Sequence, residues 1–169
     1  MKRTLLNFIA ISVFGFAANA QNVNIPDVNF KAYLVGNTNI NTNSDTEIQV
    51  SEASAFTGAI SCINQSISDL TGVEAFTALT QLECDINSLT SLNLTQNTAL
   101  TKLYCKNNSL TSLDLTQNTA LTTLWCGNNS LTTLDVSQNT ALTLFVCNVN
   151  SLTSLNVANG NNSSMSFGA

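Results

Sequence analysis

From residue 79 the chain repeats one arrangement of apolar and polar positions every 21 residues. Leu79–Ala99 reads LTQLECDINSLTSLNLTQNTA, Leu100–Ala120 and Leu121–Ala141 repeat it closely, and a worn copy starts at Leu142. Each unit nests two halves, at offsets of 10 and 11: Leu79-x-x-Leu82-x-Cys84-x-x-Asn87-x-Leu89, then Leu89-x-x-Leu92-x-Leu94-x-x-Asn97-x-Ala99. A half of that length has room for a short strand and a corner, not for a helix with its loops. Leu82, Glu83 and Cys84 alternate in–out–in, the strand period. Self-similarity of this kind marks a solenoid, whose coils bury their apolar faces only against neighbours. The expected fold is a repeat solenoid over 60–162, with two short parallel strands on opposite sides of each coil. Residues 163–169 are an incomplete further coil or tail, in which Met165–Phe167 starts another strand.

Ahead of the repeats the pattern changes. Lys2 and Arg3 precede an apolar run from Leu5 to Ala18, and Ala18-Asn19-Ala20 follows as a small-x-small cleavage motif. Residues 1–20 therefore read as a secretory signal peptide; about 14 residues is too short to span a bilayer core of ~30 Å. The protein is expected to be secreted or at the cell surface, without a membrane span. Residues 21–59 are expected to form a helical N-terminal cap. Pro26 and Asp27 open a first helix that carries Phe30, Tyr33 and Leu34 on one face and stops at Gly36. A second starts at Ser51.

Between these helices, Asn41 to Glu52 can be laid on an EF-hand loop. Asn41, Asn43, Asp45, Gln49 and Glu52 put oxygens at positions 1, 3, 5, 9 and 12, and Glu47 would offer its carbonyl. Thr46 stands where the turn glycine belongs, and only Asp45 and Glu52 bring charge to the ion. The loop is a candidate for weak calcium binding; the alternative is an Asn-rich turn without a cofactor.

Both half-units fit LxxLxLxxNx(L/A), the leucine-rich-repeat signature. Over Leu79–Asn159 the chain resembles the IRREKO-type repeats, bacterial 21-residue units with the pattern LxxLxCxxNxLxxLDLxxN. The cap and first coil, Ile60–Ala78, resemble the start of an internalin-type array, with Cys62 in register and Gln65 where later coils have Asn. The resemblance implies a leucine-rich-repeat superhelix used as an extracellular binding scaffold, with no shared enzymatic activity.

Cys62, Cys84, Cys105, Cys126 and Cys147 recur at the coil length and must stack as one column. Parallel in-register strands suit disulfide torsions poorly, and neither a His nor a CxxC pair is present to complete a zinc site. The column reads as compact buried apolar residues. Asn87, Asn108, Asn129 and Asn150 form one corner column, and Asn97, Asn118 and Asn139 the other. Their amides can satisfy backbone groups that a tight corner leaves unpaired.

Variation is concentrated on the outward positions of the first strand set. There Glu83 and Asp85 give way to Lys102, Tyr104 and Lys106, then Trp125, then Val146. Aromatics edged by charge resemble interface hot spots, and flat aromatic rows suit sugar rings. The same residues could simply stiffen the sheet by cross-strand stacking. On the opposite strand set, Asn93, Asp114, Asp135 and Asn156 form an otherwise uniform polar row.

Charge narrows the function. Residues 21–169 keep three lysines against ten acidic residues, a net of −7. This disfavours nucleic acid and anionic membranes as partners. Enzymatic chemistry is not expected: there is no His, no phosphate-cradling loop, and no facing carboxylate pair in a cleft. The sequence thus predicts a non-catalytic module recognising an extracellular protein or glycan through one β-face. The alternative is a structural or adhesive surface protein that self-associates through an uncapped C-terminal end.

Overall fold

The computed structural model describes residues 21–160 and the backbone of 166–167; the expected signal peptide lies outside them. Helix α1 (Val28–Val35) begins where Asp27 Oδ1 accepts the backbone N–H groups of Asn29 and Phe30, and ends at Gly36. Phe30 and Leu34 are fully buried. Helix α2 (Val50–Ala55) starts one residue earlier than the sequence suggests. Gln49 rather than Ser51 precedes it, because the Glu52 carboxylate reaches back to accept the Gln49 N–H.

The solenoid follows. Strands β1 (Ala59–Ser61), β2 (Gln81–Glu83), β3 (Lys102–Tyr104) and β4 (Thr123–Trp125) recur once per coil. Strand β5 (Thr133–Asp135) then opens a second side, followed by β6 (Leu144–Val146), β7 (Ser154–Asn156) and β8 (Ser166–Phe167). Among the described residues, one parallel sheet runs β1-β2-β3-β4-β6-β8 and a second contains only β5 and β7. In the first sheet Leu82, Leu103, Leu124 and Phe145 pair in register and point inward. Each fully buried side chain of this size is worth roughly 1.5–3 kcal/mol.

The second strand set is thinner than two strands per coil would give. Among the described residues it forms only where β5 meets β7; Asn93 and Asp114, which have the same chemistry as Asn156 and Asp135, are not joined by strand pairing. Asn156 Nδ2 donates to Asp135 Oδ2 at 3.1 Å, and there β5 pairs with β7. One coil earlier the in-register partner of Asp135 is Asp114, a like charge. Among the described residues no strand pairing joins Ser112–Thr116 to β5, and a groove of about 410 Å³ on this side is lined by Ser112–Thr116, β5, and Ser154 and Asn156 of β7. Asp114 Oδ1 accepts from the backbone N–H and hydroxyl of Thr116, as Asp135 Oδ1 accepts from the Ser137 N–H.

The two asparagine columns do unequal work. Asn129 Nδ2 donates to the carbonyls of Cys105, Cys126 and Gly127, and its Oδ1 accepts the Leu110 N–H. Asn108 repeats this arrangement one coil earlier. Asn118 Nδ2 donates to Leu94 and Asn97 carbonyls, but its buried Oδ1 has no partner among the described residues, as in Asn97 and Asn139. Asn129→Ala should therefore destabilise more than Asn118→Ala, by about 3 against about 1–2 kcal/mol. Urea unfolding of the two variants checks the order, and equal costs would contradict it.

Candidate recognition face

The register of the first sheet puts Glu83, Tyr104, Trp125 and Val146 side by side on its outer surface. All four are half-buried and Lys102 is exposed. The Tyr104 and Trp125 rings meet edge to face, with centroids 5.4 Å apart and planes at 73°. Lys106 Nζ lies 5.1 Å from the Trp125 ring centroid, a cation–π contact. The aromatics therefore form a ridge, not the flat row that would suit stacked sugar rings. Trp125 Nε1 is buried and finds no acceptor among the described residues. Along the solenoid the face changes from acidic at Glu83, through the lysines and aromatics, to Leu144 and Val146.

Asp85 is not part of the open surface. It is 6% exposed, and its Oδ1 accepts the Lys106 backbone N–H at 2.7 Å. Strand alternation stops at Cys84, so the next side chain folds back over the coil interface. Burial raises the Asp85 carboxyl, against the opposing pull of the Lys106 N–H and ammonium. Glu83 accepts from Ser61 Oγ and Gln81 Nε2, bracing the first two coils. At position 127 a Cβ would collide with Asn148 Oδ1, so glycine makes room for that side chain in the next coil.

The cysteines continue the strand register. Cys62, Cys84, Cys105 and Cys126 donate their N–H groups to the carbonyls of Glu83, Tyr104, Trp125 and Val146 at 2.8 Å each. Those four are buried and Cys147 is half-buried; all five are free thiols. Burial pushes the Cys62 and Cys126 thiols up to about 12, and those of Cys84, Cys105 and Cys147 upward too. Such thiols are poor nucleophiles.

The EF-hand-like loop gathers some of its expected ligands and employs them otherwise. Asn43 Nδ2 donates to Asp45 Oδ2 and Gln49 Oε1, and Gln49 Nε2 donates to Asp45 Oδ2. Glu52 Oε1 accepts from the Thr42 N–H and hydroxyl and the Asn43 N–H. Glu47 is ion-paired with Lys31 at 2.6 Å. Asn41 donates to the carbonyls of Val35 and Asp45 and leaves a buried Oδ1 without a partner. N–H donors thus hold the charged oxygens that a cation would need. Among the described residues, no three His, Cys, Asp or Glu side chains are placed to share a metal ion.

One anchor is invisible in the sequence. Asp27 Oδ2 accepts from the Ser68 N–H and hydroxyl and from the Asp69 N–H, tying α1 to the first coil across 41 residues. Burial would raise the Asp27 carboxyl, but bonds from Phe30, Ser68 and Asn29 outweigh it and hold it low. The Glu52 carboxyl is likewise lowered: bonds from Gln49, Thr42 and Asn43 overcome its burial. Carboxyls lowered by folding stabilise above their unfolded pKa and lose that contribution as pH falls through the folded one. Buried Asp85 acts oppositely. The melting temperature should fall from about pH 5 to about pH 2, and Asp27→Asn should flatten the decline. A decline unchanged in Asp27→Asn would remove this account of the tether.

Coils of this repeat, one continuous parallel sheet and stacked Asn and Cys columns define a leucine-rich-repeat solenoid. Residues 98–145 match the model of the leucine-rich repeats (two copies). Internalin J of Listeria monocytogenes is 50% identical over 40 residues, 24% of this chain and 4% of that relative. The solved functional domain of InlJ from Listeria monocytogenes, described as including a cysteine ladder, is 43% identical with a TM-score of 0.72. That match covers 82% of this chain and 30% of the InlJ chain. An internalin (inlF) of the same organism shares the fold at 19% identity and a TM-score of 0.65, covering 90% of this chain and 46% of its own. The chain is thus similar to internalin-type repeat proteins while spanning less than half of either solved chain. No helix among the described residues is long and apolar enough to cross a membrane.

Proposed function

We propose that this protein is an extracellular, non-catalytic recognition module that binds a protein through the outer face of its first sheet. The observation that carries the reading is the Tyr104–Trp125–Lys106 cluster. It sits on a frame whose other outward positions are mostly Thr, Ser and Asn, and with Lys102 beside it brings together the one Trp and two of the three lysines of residues 21–169. Aromatic anchors held by neighbours lose little entropy on binding, which is what hot spots require. The similarity to internalin J supports a surface or secreted setting. Tyr104→Ser/Trp125→Ser should abolish binding on an array of extracellular proteins while leaving the melting temperature within a few degrees. Binding that persists would move the site elsewhere. Concentration-dependent self-association that survives the double substitution, without heterologous binding, would favour the structural or adhesive alternative.

The loop at Asn41–Glu52 holds its shape without a cofactor in this reading, because Glu52 closes it through N–H donors. A site with Kd ~1 mM, in the range of weak extracellular calcium modules, would add about 1.4 kcal/mol at ~10 mM calcium. The melting temperature should move by less than the roughly 3–6 °C this implies. A larger rise, reversed by chelator and lost in Glu52→Gln, would establish a calcium site.

A further inference from the structure

Immediately beyond the face, the chain turns its corner through a left-handed residue at one recurring position: Asn64, Ile86, Asn107, Asn128 and Val149, at φ 54°, 57°, 55°, 52° and 53°, with Ser66 a second in the first coil. Asparagine tolerates this conformation, whereas a β-branched residue is strained there. The stack enforces it nonetheless. Ile86, Asn107 and Asn128 donate their N–H groups to Lys106, Gly127 and Asn148 carbonyls in the next coil. Ile86 and Val149 add a second cost, being 48% and 66% exposed. Stability alone favours asparagine at both, as the same column shows three times. Strain kept at exposed apolar positions beside a binding face points to contact with a partner.

The spacing says what that partner looks like. Ile86 and Val149 are three coils apart, about 14 Å at ~4.8 Å per coil. Between them lies Lys106, and Lys102 is nearby without an ion-pair partner among the described residues. An extended peptide rises about 3.3 Å per residue and points alternate side chains the same way. Laid along the corner, its residues 1 and 5 fall ~13 Å apart, on Ile86 and Val149, and residue 3 falls between them, near Lys106.

We propose that this corner is the rim of the recognition face and takes an extended segment of the protein ligand with the pattern aliphatic–x–acidic–x–aliphatic. The inference rests on the reading above. The probe is an N-acetylated, C-amidated pentapeptide, leucine–serine–glutamate–serine–leucine, titrated to millimolar concentration into ¹⁵N-labelled protein. It should shift the amides of Ile86, Asn107, Asn128 and Val149. Lysine in place of its glutamate should weaken binding at least tenfold, and so should Ile86→Asn/Val149→Asn. That double variant should also melt a few degrees higher, since it relieves the backbone. Absent shifts, indifference to the central charge, or a lower melting temperature in the variant would each overturn the proposal. Array binding that survives Ile86→Asn/Val149→Asn but not Tyr104→Ser/Trp125→Ser would overturn the rim and leave the face standing. Loss of neither would overturn both.

Discussion

The hydrogen bond from each coil's backbone to the next is the interaction on which everything else depends. The strand of a 21-residue coil has no backbone partners within that coil, although the second corner closes on itself, as Asn118 does on Leu115. Cys84 finds Tyr104, Cys105 finds Trp125, and Thr101 finds Thr80 only because successive coils hold one register. A one-residue slip would turn every leucine outward. Asparagines at the corners absorb the groups that register leaves over, as Asn108 does for Cys84, Cys105 and Lys106. Core chemistry is therefore fixed coil after coil, and freedom remains only at positions facing out.

That division explains why the face carries the information. Leu82, Leu103 and Leu124 are interchangeable, whereas Glu83, Tyr104 and Trp125 occupy one column with three chemistries. The sheet beneath them is continuous, so the aromatic ridge is held by backbone rather than by loops. On the opposite side only β5 and β7 pair among the described residues. The molecule is tied tightly on one side and loosely on the other.

Much of this was legible in the letters. The 21-residue period, the in–out alternation and the cysteine spacing determine the first sheet and the column behind it. What the letters concealed depends on single neighbours. The repeat predicts a second strand in every coil, but among the described residues only β5 and β7 pair on that side. Asp85 reads as outward by alternation, yet β2 ends at Glu83, two residues before it. The loop reads as a candidate cation site by composition, and the bonds Glu52 accepts from Gln49, Thr42 and Asn43 have no periodic signal to reveal them. The reach of Asp27 to Ser68 could not be read at all, since no periodicity connects a helix cap to a coil 41 residues away.

Amide hydrogen exchange resolved by residue tests the central claim, a rigid sheet backed by a loose second side. The amides of Cys84, Cys105 and Cys126 should exchange orders of magnitude more slowly than those of Leu113 to Thr116, with protection on the second side returning at Val136. Uniform protection around each coil would contradict it, because the face would then be no more rigid than the rest of the solenoid.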